Sequence, residues 1–344
     1  LTALVRALTF ELAFDVPGKT SMKICRIHQN GGPETLKWEE VASPQPQKGE
    51  VLLKVLAAGV NYIDTYHRSG LYPLELPSPI GIEGVAEVIG CGEGVQKLKL
   101  GQRVVSAMSP MGFYAEALVA AETELVPVPD GICSQKLAAT WLKGLTCAYL
   151  LHDTFPVQKG QTILVHAAAG GVGHLMVQWA KRLGAKVIGT VGTPEKAMKA
   201  KAWGCDEVIQ YQNENIVERV MDITAGQGVP VVYDSVGAST FQASLKCCAT
   251  RGTLVSYGNA SGPVPPFSAL DLTQHGSLFI TRPTLAHYYR TTKEKQRLDQ
   301  LVFDILPQLD VSVSTYPMLE AEKAHRDLEA RKTQGSIVLL PESS

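Results

Sequence analysis

The stretch Gln161 to Gly184, QTILVHAAAGGVGHLMVQWAKRLG, restricts the fold more than any other part of the 344-residue chain. It reads as a buried strand, a turn of small residues and an amphipathic helix. Ile163, Leu164 and Val165 form the short apolar run, and Ala168, Gly170 and Gly173 stand at the three spacings of a G-x-G-x-x-G turn, with alanine at the first. Small residues there let the turn close, let backbone N–H groups approach a pyrophosphate, and let the helix sit tightly on its strand. The helix N-terminus then faces an anion. Val172, Met176, Trp179, Ala180 and Leu183 fall on one helical face, which predicts burial against a sheet.

A small-residue loop without a ligand is the other reading of such a turn, and the context argues against it. Lys186 to Val191 is a second predicted strand, Pro194 to Gly204 a helix with proline at its start, and Glu207 to Gln210 a third strand. Asn213 to Ala225 suits a helix, Pro230 to Asp234 a strand, Thr240 to Ala249 a helix and Thr253 to Tyr257 a strand, and Ser277 to Thr281 closes the sheet. Strands alternating with helices at this rhythm predict an α/β doubly wound parallel sheet, with a dinucleotide at the carboxyl ends of its strands.

The choice of dinucleotide follows from a missing acid. Sites for NAD usually place a carboxylate about 20 residues after the glycines, on the ribose 2'-hydroxyl. Here the second strand runs into Thr190, Val191, Gly192 and Thr193, and the next helix brings Lys196, with Tyr211 just after the third strand. An ammonium and a phenol can both donate to a 2'-phosphate, so NADPH is expected over NADH. A solvated lysine and a packing tyrosine are the plain alternatives.

Composition agrees with a two-domain enzyme. The chain is 45% hydrophobic, and its net charge of -1, without a clustered basic stripe, gives no field for nucleic acid or an anionic membrane. Seven scattered cysteines without a C-x-x-C pair suit a reducing compartment, here the cytoplasm, and the adjacent Cys247 and Cys248 read as two buried thiols on a helix. Residues 1–21 are expected to be an extension. Leu4, Val5, Leu8 and Leu12 share a face there, but Arg6, Glu11 and Asp15 interrupt any membrane-spanning run.

The amino-terminal half differs from the alternating core. VLLKVLA (Val51 to Ala57), GIEGVAEVIGCGEGV (Gly81 to Val95) and GQRVV (Gly101 to Val105) are short strands punctuated by glycine, which predicts a β-barrel-like domain. The segments around Gly81 and Gly101, with LKGLT at Leu142 to Thr146 and AAGGVG beyond it, resemble the medium-chain dehydrogenase/reductase superfamily. Within it, NYIDTYHRSGLYP (Asn61 to Pro73), HAAAGGVG, GTVGTPEKA, VVYDSVG, TRPTL and TQGSIVL resemble the zinc-independent, zeta-crystallin-like quinone oxidoreductases, from about Met22 to Pro341. The resemblance implies a GroES-like catalytic domain from residues 22–144 and 285–344, enclosing a Rossmann NADPH-binding domain of residues 145–284. It also implies a homodimer joined near Ser277 to Thr281.

Metal chemistry is tested against the residues. The zinc enzymes of the superfamily carry G-H-E with a cysteine ahead of it; this chain has Gly81-Ile82-Glu83, no cysteine between Asn61 and Asp64, and no lobe of four close cysteines. No zinc is expected. Hydride or electron transfer then needs an acceptor that takes it readily, and a quinone, which gains an aromatic ring on reduction, is one. The protein must hold it against the nicotinamide, exclude water and donate to the developing oxyanion. Asn61 and Tyr66 match the family's substrate-cleft positions as donors, and Tyr72 as a lining residue. Asn61 has a second reading as a turn cap, Tyr66 as a ring packed on the nicotinamide, and Asp64 as a loop anchor.

The resemblance places further cofactor contacts at Gly171, Val172, Tyr257, Asn259, Arg282 and Arg331, with Arg331 adding to the charge of Lys196 or forming a surface salt bridge. Lys143 and Thr146 fall near the nicotinamide ribose, or cap their helix. Two other functions stand beside quinone reduction: NADPH-dependent reduction of an activated alkene, such as an enal or enoyl thioester, and a non-enzymatic structural or RNA-binding role. The acidic balance and the lack of an aromatic-basic stacking motif count against the last.

Overall fold

The structure, a computed structural model, describes residues 20–341. Most of the expected extension, residues 1–19, therefore lies outside the described residues.

Six parallel strands build the central sheet, in the spatial order Glu207–Gln210, Lys186–Val191, Thr162–Val165, Val229–Asp234, Cys248–Ser256 and Phe279–Thr281. The chain order is thus 3-2-1-4-5-6, and it reverses between Thr162–Val165 and Val229–Asp234, where ligands of doubly wound sheets bind. The central strands are apolar on both faces because helices cover both, as a parallel sheet requires. Each expected strand and helix of this half is present, with ends displaced by a few residues. Cys247 and Cys248 depart from expectation: the helix Phe241–Cys247 ends on the first, and the strand Cys248–Ser256 begins on the second. Both thiols are buried.

The helix Gly171–Arg182 buries a wider face than the one stripe expected, of which Val172 and Leu183 are only half-buried. Its His174, Leu175, Val177 and Gln178 are buried along with Met176, Trp179 and Ala180, because the helix Trp141–Tyr149 and the strand Ser336–Leu340 pack on its other sides.

The remaining strands form a seven-stranded, mainly antiparallel sheet and a three-stranded one. In the larger sheet Glu50–Val60 is central, pairing with Ser336–Leu340, Glu83–Cys91 and Ala117–Ala121. The last part of the chain therefore returns to the amino-terminal half. One helix there, Tyr62–Ser69, interrupts a region read from sequence only as strand-rich. Asn61 stands at its N-cap position, where its backbone N–H donates to Asp64 Oδ2 (2.8 Å), and Gly70 ends it with φ of 82°. Among the described residues no helix is long and apolar enough to cross a membrane.

Candidate active site

A cavity of about 840 Å³ opens where the carboxyl ends of the parallel strands face the antiparallel sheet. Gly170, Gly171, Val172 and Gly173 line it at the start of their helix, with Ala167 and Ala169 before them. Ala167 adopts a left-handed backbone (φ 50°) to make the turn. Gly173 admits no side chain, since a Cβ there would fall 2.2 Å from the carbonyl oxygen of Ala167. Ala168 lies behind the turn and outside the lining. It is fully buried, its N–H donates to the Thr190 carbonyl at 3.0 Å, and its methyl fills the space left by Gly189.

Lys196, Tyr211 and Arg331 gather at one end of this cavity. Lys196 Nζ donates to the Arg331 carbonyl oxygen at 2.7 Å, and burial together with the neighbouring guanidinium lowers its proton affinity. Tyr211 lies over Gly192, where a Cβ would come within 2.6 Å of the phenolic oxygen. The helix that delivers Lys196, Pro194–Ala202, starts on Thr193, whose hydroxyl accepts from the Lys196 N–H at 3.3 Å.

A cluster of tyrosines and Asn61 lines the other end. The Tyr66 and Tyr72 rings meet edge to face, 5.3 Å between centroids. Tyr66 Oη accepts from the backbone N–H of Asn259 at 2.9 Å, so its own proton is free to donate. Burial raises the Tyr66 phenol above its ordinary range, against the opposing pull of that N–H, and it stays protonated at neutral pH. Tyr72 Oη accepts from Arg282 Nη2 at 3.2 Å, while Arg282 Nη1 donates to the Ser256 carbonyl at 2.8 Å. Asn61 is nearly buried, with Nδ2 donating to Glu83 Oε2 at 2.8 Å.

Of the other expected residues, Tyr257, Arg282 and Thr146 line the cavity, although the Thr146 hydroxyl donates to the Leu142 carbonyl one turn back at 2.8 Å. Asn259 lies outside the lining and reaches it through Tyr66, by its backbone N–H, and through Arg282, whose Nη2 donates to its side-chain amide oxygen at 3.0 Å.

Three polar residues near strand ends form a network that reading the sequence alone does not reveal. His166, Thr190 and Asp234 each follow an apolar run, and each is buried. His166 bonds to the Thr190 hydroxyl and the Ser244 hydroxyl, both at 3.0 Å, and Ser244 donates to Asp234 at 2.8 Å. Asp234 also accepts the N–H groups of Val236 and Gly237, which fixes the loop leading past Ser235 into the cavity. A polar residue at or beside the carboxyl end of each of three neighbouring apolar strands is the signal for this network.

Two family descriptions match the chain: "Alcohol dehydrogenase GroES-like domain" over residues 47–130 and "Zinc-binding dehydrogenase" over residues 171–302. The second names zinc, yet among the described residues no group of three or more His, Cys, Asp or Glu side chains is placed to hold a metal ion. A quinone oxidoreductase of Pseudomonas aeruginosa is 48% identical over 315 residues, spanning 90% of this chain and 97% of that protein. A 2-haloacrylate reductase of a Burkholderia species is 45% identical over 327 residues, spanning 92% and 98%. The solved structure of Escherichia coli quinone oxidoreductase complexed with NADPH superposes with a TM-score of 0.90 at 43% identity, covering 93% of this chain and 100% of that one.

Proposed function

The chain belongs to the medium-chain dehydrogenase/reductase superfamily, in its quinone oxidoreductase type, and from that premise we propose that it reduces a quinone to the hydroquinone with NADPH. One observation supports this above the others: a single cavity joins a cationic end, at Lys196 and Arg331, to a phenol-lined end, at Tyr66 and Tyr72, past a helix N-terminus. Those features fit the 2'-phosphate, the pyrophosphate and the nicotinamide of one extended dinucleotide. When bound, NADPH supplies a hydride. The protein's part is to hold the acceptor flat among the tyrosines, keep water out, and donate hydrogen bonds to its oxygens from Tyr66 and Asn61. A hydride and one proton from solvent complete the two-electron reduction.

NADPH consumption by the purified protein with 1,4-benzoquinone, run beside NADH and beside an enal, tests the reading. Turnover with NADPH and the quinone is the expected result, and turnover with the enal alone would overturn it. The 2-haloacrylate reductase among the relatives favours one second reading, reduction of an activated alkene. There a proton must reach the carbon beside the one that takes hydride, which makes the Tyr66 hydroxyl the proton donor.

The division into residues 22–144 with 285–344 and residues 145–284 is supported by sheet membership, since Val313–Pro317 and Ser336–Leu340 pair within the antiparallel sheet. Phe279–Thr281 is an edge of the parallel sheet and Phe279 is 63% exposed, which supports pairing of two subunits there. All seven cysteines are free thiols, as suits the cytoplasm.

A further inference from the structure

Lys143 and Glu83 form an ion pair inside the wall of the cavity. Glu83 is fully buried, Lys143 is 5% exposed, and Nζ lies 3.3 Å from Oε2. The same Oε2 accepts from Asn61 Nδ2 at 2.8 Å, and Oε1 accepts from the backbone N–H of Leu142. Both charges were taken from water to make this pair, a loss that mutual attraction seldom repays, so stability alone gives little reason to keep it.

The chemistry of a carboxylate gives a better reason. An ionised carboxylate accepts hydrogen bonds and donates none, so only the NH2 end of the Asn61 amide can face it. A protonated acid or an amide in place of Glu83 would tolerate either orientation of Asn61. The Lys143 ammonium pairs with this carboxylate at 3.3 Å, and the carboxylate in turn holds the amide. The lysine stem is itself fixed, because it fills the space over Gly171, where a Cβ would meet Lys143 Cε at 3.0 Å.

We propose that Glu83 and Lys143 are positioning residues that take one Nδ2 proton of Asn61 and so hold its second Nδ2 proton as the hydrogen-bond donor toward the carbonyl oxygen of the acceptor. This rests on the cavity being the place of quinone reduction. As hydride arrives, that oxygen gains negative charge, and a donor already oriented needs no rearrangement to meet it. Lys143 thus acts on the acceptor through Glu83 and Asn61.

A double-mutant cycle between Glu83→Gln and Asn61→Ala tests the proposal, with 1,4-benzoquinone as acceptor. Glu83→Gln is expected to lower kcat about tenfold or more, with NADP+ affinity by calorimetry within about twofold, and to cost nothing further in the Asn61→Ala background. Lys143→Met should show the same loss, and Lys143→Arg should recover part of it by restoring the cation. An unchanged kcat in folded Glu83→Gln, or an equal loss with and without Asn61, would overturn the proposal. Should Glu83→Gln fail to fold, Lys143→Met and Lys143→Arg decide by the presence or absence of that rescue. A second readout needs no turnover: the side-chain amide protons of Asn61 in 15N-labelled protein should be protected from exchange in the wild type and lose protection in Glu83→Gln. If the wild type reduced no quinone yet kept this dependence, the positioning of Asn61 would stand and only the acceptor would need to change; equal protection in both proteins would sink it.

Discussion

The backbone N–H of Asn259 donates to the phenolic oxygen of Tyr66 at 2.9 Å, joining the loop after a parallel strand to a helix of the amino-terminal half. This bond occupies a lone pair of the phenol and leaves its proton uncommitted. Tyr66 is thereby aimed as a donor.

Tyr66→Phe should therefore lower kcat by roughly a hundredfold to a thousandfold, in the range lost with one preorganised donor or general acid. NADPH affinity, measured by fluorescence titration, should change little. A larger loss with an enal than with a quinone would mark proton delivery to carbon.

Lys196→Ala should weaken NADPH binding by about 1.5–3 kcal/mol, the usual worth of a hydrogen bond to a charged group, and leave NADH nearly unaffected. The ratio of kcat/KM for the two cofactors checks it. An unchanged ratio would remove Lys196 from the phosphate site.

Asp64 gives a stability signature. Burial pushes its carboxyl up to about 7, against the opposing effects of the Asn61 N–H, the Tyr114 hydroxyl and Lys143. An acid whose folded-state value is raised keeps its proton in the native state after the unfolded chain has released it. Between about pH 4 and pH 7 the native state binds more protons, so this contribution to stability falls as pH rises and is flat above that window. Asp299, raised to about 6 chiefly by burial, adds a fall of the same sign. Asp64→Asn should reduce the decline in Tm between pH 5 and pH 8, and an unaltered decline would contradict the assignment.

Gly173→Ala should destabilise the fold by about 1–3 kcal/mol, an ordinary cost of overpacking, because the new methyl meets backbone that cannot rotate away. Thermal melting without cofactor reads this directly. Ala168→Gly offers the contrast: it removes a buried methyl without any clash.

The parallel half was legible because its strands and helices follow one another locally, and each apolar run announces itself. The glycine turn showed where the helix begins, but not that Ala168 faces inward against Gly189 while its neighbours line the cavity. Whether an alanine in such a turn lines or backs the site depends on a strand 21 residues further on. The Tyr62–Ser69 helix escaped for a related reason: Asn61 reads as a donor or a turn cap and Asp64 as a loop anchor, and only their pairing makes them the N-terminal cap of a helix. In the sequence Glu83 shows as the start of a glycine-flanked strand and as the last residue of Gly81-Ile82-Glu83, with no sign of its partners. Its partners Asn61, Leu142 and Lys143 are separated from it by 22, 59 and 60 positions, distances that no periodicity reports.

The contact between Lys196 and the Arg331 carbonyl has a consequence for how this architecture can be recombined. Arg331 belongs to the returning carboxyl-terminal segment, and its backbone, held at φ 57°, faces a lysine carried by the other half. A chimera that took its parallel sheet from one relative and its antiparallel sheet from another would bring together a lysine and a carbonyl shaped by different ancestors. Such hybrids should tolerate exchange of the acceptor end far better than exchange of the segment around residue 331, so the last thirty or so residues travel best with the nucleotide half despite being woven into the other sheet.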